Sequence, residues 1–189
     1  MYAMPIPSVP KAFDVVRLAV GLTADATPLR IGAILFEADV LHADAYGRQV
    51  YGERWDLSWS GPKGSILMDL LSKDHTVLGM LDRRIMACMT RDATGPSDVL
   101  SRIDDMQDLV LLGTVPSGSL PESDVEAVQQ AVRNVPVGQE EIVAFLLRHP
   151  AVLRSDGVLV RPEDMLDPGH EQHEARLRRI REEMAYEAY

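Results

Sequence analysis

The run Pro28–Ser72, PLRIGAILFEADVLHADAYGRQVYGERWDLSWSGPKGSILMDLLS, decides how this chain folds. Thr27 offers a capping hydroxyl, and Pro28 fits the first helical position, where a missing N–H costs nothing. From Leu29 to Leu41 apolar side chains leave little room for a wet face: Leu29, Ile31, Ala33, Ile34, Leu35, Phe36, Ala38, Val40 and Leu41. A helix apolar nearly all round is central and buried. Its polar residues fall into lines. Arg30, Glu37 and Asp44 recur every seven residues, and Asp39, His42 and Tyr46 are spaced three then four, so each set shares a face. The helix should reach Tyr46, with Gly47 as its left-handed stop. Asp39, His42, Tyr46 and Gly47 are expected to act as internal struts between this helix and the next strand.

That strand is expected at Trp55–Trp59, where apolar and polar residues alternate. Trp55, Leu57 and Trp59 share one face, with Tyr51 close by. Core packing accounts for such a face, and so does a partner groove, because aromatic side chains anchor interfaces. Ser60, Gly61 and Pro62 end the strand, and the Gly-Pro turn launches a short helix over Ser65–Ser72. Tyr51, Trp55, Trp59, Gly61, Pro62 and Lys63 are therefore candidate partner-facing residues.

Working outward, residues 1–10 form an extended lead-in with three prolines, without the charged start or apolar run of a signal peptide. A first helix is expected from Lys11 to about Leu22, with Phe13, Val16 and Val20 on one face beside Ala12 and Ala19. A helical piece near Val77–Leu81 and a strand over Arg84–Thr90, pairing with the first strand, follow the central stretch. Leu109–Leu112 is a short apolar run. Ser119 and Glu122 have the spacing of a capping box, opening a helix to about Asn134 with Val125, Val128 and Val132 inward. Gly138–Arg148 is a further helix, stopped by His149-Pro150. Val158–Val160 is strand-like, and Pro162 starts a short helical turn. Residues 168–189 add a charged amphipathic helix whose seam is Leu177, Ile180, Met184 and Ala188. Such a helix docks on its own domain, on a second copy or on a partner, so Leu177, Ile180 and Met184 are also candidate contact residues. The pattern is that of an α+β protein, predominantly α-helical: a domain over residues 11–167 with a small antiparallel sheet, and an added C-terminal helix.

The chain's 189 residues carry a net charge of -10 and are 46% hydrophobic. An acidic surface repels phosphate backbones and makes nucleic acid a poor partner; the arginines of the last helix are outnumbered by its glutamates. No run approaches the ~20 apolar residues of a membrane span. The single cysteine, Cys88, excludes an intramolecular disulfide and suits a reducing cytoplasm. Gly61–Ser65 lacks phosphate-loop spacing, and no nucleotide or nucleophile-elbow motif occurs. His170 and His173 have a spacing that can put two metal ligands on one helical face, but they lie at the start of a solvated helix. Asp39 and His42, one turn apart, form either a base pair for proton transfer or a hydrogen-bonded structural pair. The residues favour the structural alternative: no catalytic group, no metal and no cofactor.

Leu35-Phe36-Glu37-Ala38-Asp39, Leu41-His42, Tyr46-Gly47-Arg48, Gly52-Glu53-Arg54-Trp55 and Gly61-Pro62 resemble the Panacea domain, the SocA-like antitoxin family. Leu120–Asp124, Leu147 with His149, and Val158–Leu166 are similar to its later segments, so the resemblance spans about Phe13 to Leu166. The chain departs from the family pattern at Gln49-Val50 and at Lys63-Gly64, and the tail from His170 is outside it. The resemblance implies a mainly helical domain with a small antiparallel sheet. It also implies an antitoxin that binds and neutralises a protein toxin encoded nearby, with a proteolytic-adaptor role towards the ClpXP protease in the family's namesake. The same domain occurs in phages and prophages, where an accessory or structural role is the alternative. Self-association through the terminal helix is a further expectation.

Overall fold

A computed structural model describes residues 9–64 and 118–186. The helices expected at 65–72 and 77–81, the strand at 84–90 and the run 109–112 lie outside these residues, as do the side chains of Ala12, Phe13 and Met184. Helix α2, Pro28–Tyr46, has the predicted bounds. Thr27 Oγ1 accepts the Arg30 N–H at 3.3 Å. Gly47 closes the helix at φ 70, its N–H bonding Ala43 O at 2.8 Å. Arg30, Glu37, Asp39 and His42 are buried along with the apolar residues, so α2 is a central pillar.

Four of the described helices pack on α2, three of them across the core. Helix α1, Val9–Gly21, brings Val15, Val16, Ala19 and Val20 to the core. Helix α3, Glu122–Asn134, brings Ala127, Val128 and Ala131, while Val125 and Val132 are only partly buried. Helix α4, Gln139–Leu147, brings Ile142 and Leu146. The expected capping box at Ser119 is absent. Pro121 is the N-cap, no side chain caps the helix, and Pro121 O takes the N–H groups of Asp124 and Val125. Ser119 lies two residues outside the cap position, and the acids Glu122 and Asp124 meet the positive helix end instead. His149 does more than stop α4. Its Nδ1 accepts the Ala151 N–H at 3.2 Å and caps a short helix α5, Pro150–Arg154.

The sheet corrects the reading of Gly61-Pro62. Strand β1 is Trp55–Ser58 and strand β2 is Gly61–Gly64, antiparallel, so the turn is Trp59-Ser60 and the Gly-Pro pair lies inside a strand. Pro62 is tolerated there for a geometric reason. Leu57 gives its N–H to Val158 O on the opposite side, so the Leu57–Pro62 pair exchanges no hydrogen bonds and needs no proline N–H. Gly61 adopts φ 111, and a Cβ there would stand 2.7 Å from Leu146 Cβ, so β2 approaches α4 closely. Strand β3, Leu159–Val160, pairs antiparallel with β1 and gives the order β2-β1-β3. Trp55 and Val160 face each other in the core, and Phe36 meets the Trp55 indole edge-on at 5.4 Å.

A 3-10 turn, Pro162–Met165, buries Met165 and passes to buried Leu166. Asp167 N–H then bonds Asp44 Oδ1 at 2.9 Å, tying the chain back to α2. Helix α6, His173–Tyr186, lies against α2 and the 3-10 turn. Ile180 is buried and Leu177 partly so. The Cβ position of Gly47 is 3.1 Å from Arg176 Cα and O, so α6 rests on the helix stop itself. The fold is α+β and mainly helical, with a small three-stranded antiparallel sheet. Among the described residues no helix is long and apolar enough to cross a membrane.

Candidate functional site

Asp39, fully buried on α2, organises the segment that leaves the helix. Its Oδ1 accepts from Tyr51 N–H at 2.6 Å and Gly52 N–H at 3.2 Å. Its Oδ2 accepts from Trp55 Nε1–H at 3.0 Å and Gln49 Nε2–H at 3.3 Å. Burial pushes the Asp39 carboxyl up to about 6, against the pull of the Trp55, Tyr51 and Gly52 donors. The two oxygens are filled by donors from residues 49–55, and Asp39 makes no hydrogen bond to His42 (the expected pair is two separate struts).

His42 belongs to a second cluster. Its Nδ1 lies 2.8 Å from Arg48 O, and its Nε2 lies 3.2 Å from both Ser123 Oγ and Asp124 Oδ1. Arg48 Nη2 donates to Asp124 Oδ1 at 2.8 Å, and Lys11 Nζ is 2.9 Å from Asp124 Oδ2. Burial raises the Asp124 carboxyl, but hydrogen bonds from His42, Lys11 and Arg48 outweigh it and hold the group well below the usual carboxylate range. This cluster joins α1, α2, α3 and the segment after Gly47. The Tyr46 ring packs 4.5 Å from His42 with 44% of the residue exposed, so Tyr46 is half strut and half surface.

A third polar contact was not legible in the sequence. Glu37 accepts from Asn134 Nδ2–H at 2.7 Å and lies 2.9 Å from His149 Nε2. Because His149 Nδ1 accepts from Ala151 N–H, Nε2 carries the proton given to Glu37. The signal for the Glu37, Asp124 and His149 contacts was weak: His149 read only as a helix stop, and the partners lie far apart in sequence.

The candidate partner surface is smaller than the sequence implied. Tyr51, Trp55, Gly61 and Pro62 are buried and unavailable to a partner. Burial and the neighbouring Glu53 raise the Tyr51 phenol above its ordinary value. Lys63 is half-buried. Trp59, in the turn beyond the strand, is 83% exposed. The face enters the core at Trp55 and leaves it at Trp59, and Val158, opposite half-buried Leu57, extends its outer end. Ile180 and Leu177 pack on the chain's own domain, which removes Ile180 from any self-association surface. His170 and His173 bond locally, to Gln172 N–H and Asp167 O.

A groove of about 480 Å³ between α2 and α3 was not foreseen. His42 and Ser123 lie at its floor and Tyr46, Glu126, Gln130 and Arg133 at its rim. It forms only when two helices about eighty residues apart in sequence are packed side by side.

The chain matches no protein-family model, no curated protein and no solved structure.

Proposed function

We propose that this chain is a non-enzymatic antitoxin of the SocA-like kind. It acts in the cytoplasm by binding a protein toxin encoded beside it, and it passes that toxin to the ClpXP protease. One observation carries this reading. The positions that resemble the Panacea domain take part in separate buried clusters: Asp39 with Gly52 and Trp55, His42 with Arg48, Ser123 and Asp124, and Phe36 edge-on to His149.

The chemistry of these clusters supports a binding role. Their carboxylates are engaged by backbone N–H groups, an indole, guanidinium and ammonium groups, as in a scaffold that positions a surface. Trp59, carried on a two-residue turn and exposed to solvent, offers an aromatic anchor for such a surface.

Co-expression with the adjacent open reading frames tests the proposal. One neighbour should arrest growth when expressed alone, be relieved by this chain and co-purify with it. Its level should fall faster in cells that contain ClpX. Harmless neighbours that fail to co-purify would end the antitoxin reading.

A further inference from the structure

We infer that the groove between α2 and α3 is a docking site for an arginine side chain presented by a protein partner. This inference rests on the protein-binding reading above and specifies what the surface recognises.

The rim of the groove is built for a flat cation on an apolar stem. Leu41, Ala45 and Ala127 line it and give the stem an apolar wall. The Tyr46 ring is fixed on one side against His42, at 4.5 Å between ring centres, while 44% of the residue stays exposed. An aromatic face held in this way attracts a cation stacked on it. Glu126 is exposed on the same rim and is unpaired among the described residues. It offers two acceptor oxygens of the kind that a guanidinium engages with parallel N–H donors.

The rim's own cation does not occupy this place. Arg133 directs Nη2 and Nε to Gln130 Oε1, at 2.7 and 3.3 Å, and Gln130 in turn donates to Asn134 Oδ1 at 2.8 Å. The guanidinium is thereby held along α3. At the floor, Asp124 already has Lys11 and Arg48, which leaves Glu126 as the carboxylate open to a newcomer. The chain's net charge of -10 favours a basic partner by the same complementarity and speeds its approach. Arginine suits this lining better than lysine because a guanidinium both stacks on aromatic rings and pairs with carboxylates through parallel N–H donors.

The test uses the full chain, labelled for amide NMR, and two capped hexapeptides. One carries a single arginine and the other carries citrulline, its uncharged isostere, at the same position. The arginine peptide should shift the amides of Tyr46, Glu126 and Gln130 in a saturable way at concentrations up to about 10 mM, and the citrulline peptide should not. Glu126→Gln and Tyr46→Ala should each weaken that response about two- to five-fold, and Trp59→Ala should leave it unchanged. Equal shifts with citrulline, shifts confined to another surface, or no localised shifts overturn the assignment. The titration is independent of the toxin. A failed titration with a toxin that still co-purifies removes the groove alone, whereas a successful titration with harmless neighbours removes the antitoxin reading alone.

Discussion

Asp39→Asn should lower the stability of the folded chain by about 3 kcal/mol, a loss of about 6–12 °C in melting temperature for a chain of this size. The side chain keeps its shape, so the cost is one of hydrogen-bond polarity. Asparagine retains one acceptor oxygen for the N–H groups of Tyr51 and Gly52. Its amide nitrogen then confronts the Trp55 indole N–H and the Gln49 amide, donor against donor, in a site with no solvent. Thermal melts of both proteins measure the effect, and a loss below about 1 kcal/mol would mean that the network is dispensable.

The pH dependence of that loss has a fixed sign. The folded-state value of Asp39 is raised to about 6 from 3.8, chiefly by burial. The folded chain therefore binds this proton more readily than the unfolded chain does. The associated stability is fully present below about pH 4 and disappears as pH rises through 6, amounting to about 3 kcal/mol. Wild type should thus gain on Asp39→Asn as pH falls from 7 to 4. A difference that stays flat across this window would show that the donors around Asp39 cancel the effect of burial.

Asp124→Ala should cost a similar amount, about 3–5 kcal/mol, by a different route. This carboxylate is the one acid among Lys11, Arg48 and His42, on α1, the segment after Gly47, and α2. Its removal leaves three groups facing one another around a void. Lys11 and Arg48 are 30% and 24% exposed and can turn to water, whereas His42 is fully buried and cannot. The sign is opposite to that of Asp39. A carboxyl held below its unfolded value contributes stability that is present above about pH 4 and is lost as pH falls further. Urea titrations at pH 7 and pH 3 check both statements. The variant should be much weaker than wild type at pH 7 and closer to it at pH 3, and a gap that widens in acid would contradict the ion cluster.

The elements legible in advance were those whose signals are local. Thr27, Pro28 and Gly47 set both ends of α2, and the apolar run between them announced its burial. Pro162 gave its short turn, and α3 ended at Asn134 as its pattern suggested. Errors arose where two segments decide together. Gly61-Pro62 has the composition of a turn, yet Pro62 sits at a strand position that exchanges no hydrogen bond, which only the pairing with Leu57 reveals. Ser119 and Glu122 matched a capping spacing, but Pro121 fixes where the helix starts. Alternation placed Trp55 and Trp59 on one face without telling that the core ends between them. The partners of Glu37 and Asp124, His149 and His42, are distant in sequence, so no local pattern pointed to either contact. The groove between α2 and α3 belongs to the same class.

The chain's two tryptophans sit in opposite environments: Trp59 in solvent, and Trp55 sealed in the core with its N–H on the carboxylate that titrates near pH 6. They make the protein its own optical indicator. Acrylamide should quench Trp59 and spare Trp55, so partner docking at the hairpin tip is read from the quenchable fraction of the emission. With Trp59→Phe a single indole remains, and its emission should titrate with the proton on Asp39. The buried frame and the exposed tip can then be followed separately in one cuvette, without a label.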